Sequence, residues 1–203
     1  MVASNQGTAM SKRSLAAVFA LVLGLSAPAL AEEVSGPVIL VAKPELRDKL
    51  YGSSILVVTP LGGDQHVGFI VNRPSDTRLG MVFPEHGPSQ KVVDPVYLGG
   101  PLGSQLIFAM VQRPDNPGGK SLAVMPGLYV AFDAAVVDRI IESESDHARF
   151  MAGLVTWKPG ELQAEIEAGA WYVLSPDPAL VMRKPEGLWE ELVRRSQQAD
   201  NTI

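Results

Sequence analysis

Cysteine is absent from the 203-residue sequence, which removes disulfides, thiolate nucleophiles and Cys-ligated zinc at once. Histidine is scarce. His66, His86 and His147 stand far apart, without the i, i+4 spacing of a metal-binding helix, and read as surface residues. Positive charge is the minority sign, 17 Lys+Arg against 22 Asp+Glu. That balance argues against a general nucleic-acid binder, whose affinity rests on clustered Lys and Arg. Charged residues make up only 19% of the chain and hydrophobic ones 46%, so a disordered polymer is excluded and one domain is expected. Catalytic signatures are missing too: there is no G-x-S-x-G elbow and no Walker loop. Gly99-Gly100-Pro101-Leu102-Gly103 imitates a phosphate cradle, but Pro101 has no amide to donate and no Lys-Ser/Thr follows. It reads as a tight turn. Ser53 and Ser54 have no base near them in sequence. Nothing calls for a cofactor or a metal, and the residues lean away from an enzyme.

What is present begins at the N-terminus. Lys12 and Arg13 precede an unbroken apolar run of 11 residues, Leu15 to Leu25, followed by Ser26-Ala27-Pro28 and the Ala29-Leu30-Ala31 triplet. This is the layout of a secretory signal peptide cleaved after Ala31. The run is too short for a bilayer, which takes about 20 residues. Met10 lies just before the basic pair, so residues 1–9 are an upstream mis-start if translation begins there. Cleavage removes two basic residues and no acid, and the expected mature chain, 32–203, carries a net charge of −7. No second apolar segment of membrane length follows. The expected location is the periplasm or the medium, or the cytoplasm if the signal is not used.

Short apolar runs separated by Pro/Gly clusters read as strands: Val38–Ala42, Ile55–Thr59, Val67–Val71, Val96–Leu98, Leu106–Val111, Leu122–Val124, Leu128–Ala131, Ala152–Thr156 and Trp171–Leu174. Three helices are expected. One follows an Asp133 N-cap with Val136, Val137, Ile140 and Ile141 at helical spacing; one spans Gly160 to Ala168; one carries Leu188, Leu192 and Val193. Strands first and helices late, without strict alternation, favour an α+β class.

Three segments are more specific than composition requires. Gly68 to Pro74 is an apolar strand that ends in Asn72, Arg73 and a proline unable to donate to a ladder. Asn72 and Arg73 would offer planar donors to a carboxylate or phosphate. The competing account is an Asn closing a turn and an Arg paired with an acid such as Asp48 or Asp76. Tyr97 to Leu102 contains the Gly99-Gly100-Pro101 turn. Trp157 to Ile166, closing on Ala170-Trp171, sets two tryptophans around a short helix, as core packing does.

These segments, together with Leu40 to Pro44, Asp48 and the closing Leu188-Trp189, resemble the YqgE/AlgH family of bacterial proteins in content and order over about 38–195. The resemblance implies an α+β fold whose bent, bifurcated β-sheet forms a pseudo-barrel flanked by helices. The family carries no firmly established molecular function. Its members are typically cytoplasmic and lack a signal peptide, so this chain departs at its N-terminus. It departs again at Thr59-Pro60-Leu61, which stands where relatives carry Cys-Glu-His, so no proposal resting on that Cys or His applies here.

Three functions from different classes follow. The first is a non-enzymatic exported binding or interaction protein using Asn72, Arg73, Gly99, Gly100 and Pro101 toward an unknown protein or a small anionic ligand. The second is a transcriptional regulator, implied by the AlgH name alone, without a helix-turn-helix pattern or a basic helix. The third is an unrecognised hydrolase. The first is preferred, with no nucleic-acid partner and no membrane insertion after cleavage.

Overall fold

The computed structural model describes residues 34–201; the expected signal peptide, with its alternative start at Met10, lies outside them. Alternation of apolar side chains builds the first layer. β1 (Val38–Ala42), β2 (Ile55–Gly62) and β3 (Gln65–Ile70) pair antiparallel, and almost every residue of β1 and β3 and the first five of β2 are buried. Ile39, Val41, Ile55, Val57 and Phe69 face one core, whereas Leu40, Ala42, Leu56, Val58 and Ile70 face another, as the two-residue period of a strand requires.

The sheet divides at one long strand. β4 (Pro74–Arg78) pairs with β5 (Pro95–Leu98), and of β6 (Leu102–Gln112), β7 (Ser121–Met125) and β8 (Leu128–Ala131) the last lies between the other two, antiparallel to both. β9 (Ala148–Trp157) lies against β6 along one edge. Its other edge is shared, with β3 pairing at His66↔Trp157 to Gly68↔Val155 and β5 running parallel at Tyr97↔Met151 and Leu98↔Ala152. β10 (Trp171–Leu174) adds to the outside of β1. The order is therefore β10-β1-β2-β3-β9-β6-β8-β7, with β5-β4 as the branch. Val41 of β1 and Val124 of β7 reach the same inner cluster, so the sheet curls into a half-barrel.

Among the described residues five α-helices flank it: α1 (Leu79–Val82), α2 (Ala134–Ser143), α3 (Glu161–Glu167), α4 (Pro178–Val181) and α5 (Leu188–Asp200). Leu180 and Val181 of α4, with Leu188, Leu192 and Val193 of α5, fill the barrel interior. α2 packs Val136, Val137, Ile140 and Ile141 on the outer face of β6 and β9, and Asp133 caps it by accepting from the Ala135 and Val136 amides at 3.1 and 3.3 Å. α3 lies over the outer face of β1–β3 between Trp157 and Trp171, both buried.

The one-turn helices α1 and α4 and the polar strand β4 extend the elements legible in sequence. β9 begins four residues ahead of the expected Ala152, and β6 four ahead of Leu106. His66 is a correction: it is 3% exposed, on a strand paired on both sides, so its polarity did not place it on the surface.

Candidate functional site

β3 stops at Ile70, and the chain then crosses to β4, which starts on Pro74, a position where a missing amide costs no ladder bond. Asn72 and Arg73 occupy that crossing. The Asn72 side chain bridges: its Oδ1 accepts from the Ile55 amide at 2.8 Å and its Nδ2 donates to the Ser53 carbonyl at 2.9 Å. Arg73 donates from Nη1 to the Lys49 carbonyl at 3.2 Å and from Nη2 to the Gly52 carbonyl at 2.7 Å. Both residues thus fix the loop between β1 and β2. Asp48 fixes it from within, its Oδ1 accepting from the Leu50 and Tyr51 amides at 2.7 and 2.8 Å. The Tyr51 amide, then the Leu50 amide, hold the Asp48 carboxyl below its ordinary value, and the Arg73 charge adds to this. The loop ends at Ser53, exposed and in the left-handed region at φ 58°, where a serine stays only if its surroundings hold it.

The Gly99-Gly100 turn lies against this crossing. The Leu98 amide donates to the Arg73 carbonyl and the Ile70 amide to the Gly99 carbonyl, both at 2.8 Å. Asn72 and Arg73 are half-buried, Gly99 and Gly100 are buried, and Pro101 is exposed at the head of β6. The space freed by the two glycines is filled by β9: a Cβ on Gly99 would run into the Gly153 carbonyl oxygen, and one on Gly100 into the Leu154 carbonyl. The close approach is made by this chain's own backbone.

Arg73 is left with chemistry to offer. Each of its Nη atoms has a second hydrogen beyond the carbonyl bond, and among the described residues no carboxylate lies within 4.0 Å of it. The acids Asp48 and Asp76 form no ion pair with it. A half-buried guanidinium with no carboxylate in ion-pair contact suits a carboxylate or phosphate.

Two polar arrangements escaped the sequence reading. Arg149, on β9, is 7% exposed and donates to the Val71, Val181 and Arg183 carbonyls at 2.7, 2.7 and 2.8 Å, with the Tyr97 ring 4.3 Å from its guanidinium carbon. Its partners are main-chain atoms, which leave no mark in a sequence. His86 Nδ1 lies 2.7 Å from the Ser89 hydroxyl and its Nε2 lies 3.8 Å from Glu142. The H-x-x-S spacing was the only signal. Ser89 is completely buried, so its hydroxyl packs a 3-10 turn instead of facing a substrate. Ser54 is equally buried and donates to the Tyr51 carbonyl at 2.6 Å. Among the described residues no three metal-ligating side chains converge, and no helix is long and apolar enough to cross a membrane.

A family model described as AlgH-like matches residues 39–200. The chain belongs to the AlgH-like family. An AlgH-like relative from Thermobifida fusca, a UPF0301 protein, is 33% identical over 170 residues, covering 77% of this chain and 84% of the relative. One from Chlorobium luteolum is 28% identical over 160 residues, with 77% and 82% covered. The solution structure of the Pseudomonas aeruginosa AlgH protein matches with TM-score 0.65 and 20% identity over 79% of this chain and 87% of that one. A Corynebacterium diphtheriae crystal structure matches with the same TM-score at 24% identity, with 79% and 86% covered. Both structures establish the AlgH fold for this chain, the α+β half-barrel with its flanking helices.

Proposed function

We propose that this AlgH-like protein is an exported binding protein without catalytic chemistry of its own, and that it holds a small anionic ligand at the β3–β4 crossing. The observation that supports this reading most directly is Arg73: clamped at a sheet edge by the Lys49 and Gly52 carbonyls, half-exposed, and facing no carboxylate within 4.0 Å. A guanidinium fixed in this way is preorganised, so an anion bound to it loses less to side-chain ordering. Export rests on the n-region, the apolar run and the Ala29-Leu30-Ala31 triplet. The hydrolase reading has the His86–Ser89 pair in its favour, but the burial of Ser89 counts against it.

The experiment is titration of the purified protein with inorganic phosphate and with acetate, followed by NMR at the arginine side-chain N–H groups. The expected result is a saturable shift at Arg73 that Arg73→Ala removes and Arg73→Lys weakens. A flat response at Arg73, or equal binding by the wild type and a folded Arg73→Ala, overturns the reading.

A further inference from the structure

Away from that edge, the end of α1, the first half of β6 and the start of α2 enclose a cavity of about 280 Å³. β6 makes room for it. Its register with β9 breaks between Leu102 and Ile107, and Gly103 to Leu106 have no partner on β9, an irregularity of the kind that sheets place beside binding sites. Phe83, Phe108 and Phe132 line the cavity, together with Val82 and Val137. Phe108 is 4% exposed and its ring centroid lies 5.0 Å from that of Phe132, so the two rings form a fixed aromatic wall. Leu106 and Val82, 52% and 38% exposed, stand at the mouth.

This apolar lining carries one charge. Ala134, Val137 and Asp138 share a face of α2 at i, i+3 and i+4, so the helix that buries Val137 in the wall sets Asp138 beside it. Among the described residues no cation lies within 4.0 Å of the Asp138 carboxylate, and no basic side chain lines the cavity. The N-terminus of α2 would favour an anion, but its amides are engaged. Those of Ala135 and Val136 donate to the Asp133 carboxylate, and that of Val137 donates to the Asp133 carbonyl. What remains is a carboxylate beside an aromatic cavity, a pairing that selects a cation with an apolar body. A cavity of about 150 Å³ admits a benzene, so 280 Å³ admits one ring with a short aminoalkyl arm. We propose that this cavity binds a small organic ammonium ion, its apolar body against Phe83, Phe108 and Phe132 and its nitrogen at Asp138. The cavity shares no lining residue with the β3–β4 crossing, so the two sites stand or fall separately.

Titration of the purified protein with 2-phenylethylammonium chloride at constant chloride tests this, followed by NMR at the backbone amides and with 2-phenylethanol as the neutral counterpart. The expected result is a saturable shift centred on Leu106, Phe132 and Ala134. The alcohol should bind about tenfold more weakly, because it lacks the attraction to both the carboxylate and the ring faces. Asp138→Asn, at an exposed position, should leave the melting midpoint unchanged, lower the ammonium affinity to that of the alcohol and leave the alcohol unaffected. Phe83→Ala should weaken both ligands. The absence of a saturable shift at these amides overturns the proposal. Equal affinity for ammonium and alcohol overturns it too, as does an Asp138→Asn protein that holds the ammonium as tightly as the wild type. A folded Phe83→Ala protein indifferent to both ligands would also overturn it, by placing them outside the cavity.

Discussion

Arg149 has nearly all of its surface removed from water and, among the described residues, no carboxylate within 4.0 Å, so its charge is held mainly by three main-chain carbonyls and the face of Tyr97, with the more distant Asp94 adding to them. Burial pulls its pKa below the usual guanidinium value and pushes Tyr97 up. Arg149→Met would keep much of the hydrocarbon and leave the Val71, Val181 and Arg183 carbonyls without their donor. The expected loss is at least about 2–3 kcal/mol, because hydrogen bonds to a charged group contribute ~1.5–3 kcal/mol each and some relax. Urea denaturation measures it, and a loss below ~1 kcal/mol would show that water replaces the guanidinium. Asp48 offers a pH test. Its folded pKa is depressed, so its contribution is fully present above the unfolded value of about 3.9 and disappears as pH falls through the lower folded one. The stability gap between wild type and Asp48→Asn should therefore be constant from pH 5 to 8 and close toward pH 2. A gap that persists in acid would show that the charge contributes nothing.

Among the elements, α3 depends most on two residues outside it. Trp157 and Trp171 are each 4% exposed and enclose Leu162, and the Trp171 indole donates to Glu165 at 2.8 Å. Trp157→Ala or Trp171→Ala should cost ~3–5 kcal/mol by calorimetry or urea titration, as large-to-small core changes do; below ~1 kcal/mol the ring is not a core residue. This element was legible because both tryptophans flank an i, i+4 apolar pair. β1, β8 and β10 were legible to the residue, since short apolar runs bounded by turn residues leave little choice of register. β4 was not, because Pro-Ser-Asp-Thr-Arg is a polar edge strand that buries nothing fully. The start of β9 was hidden by Arg149 itself, a cation in what is otherwise an apolar run. At the candidate site, the halt of β3 before Pro74 could be read from the proline. The direction of the Arg73 side chain could not, because its acceptors are carbonyls 24 and 21 residues upstream, and every residue carries a carbonyl.

At the scale of the whole molecule, the question is what processing would do to the fold. The Val34 carbonyl accepts from His66 Nε2 at 3.0 Å, and the Val34 and Val38 side chains pack on the cluster that holds Trp157. The folded body is therefore fastened from Val34 onward. Proposed cleavage after Ala31 falls three residues ahead of that fastening. A chain beginning at Glu32 keeps both Val34 contacts. A chain beginning at Gly36 loses the Val34 contact and leaves the His66 donor buried without its acceptor, a change worth ~1–3 kcal/mol. Urea denaturation of the two truncated chains measures the difference, and equal stability would show that the His66 bond contributes nothing. Intact-mass measurement on a periplasmic fraction addresses export itself, with a chain starting at Glu32 as the expected species. Recovery of only the uncleaved chain, confined to the cytoplasm, would overturn export while leaving the stability argument for Val34 untouched.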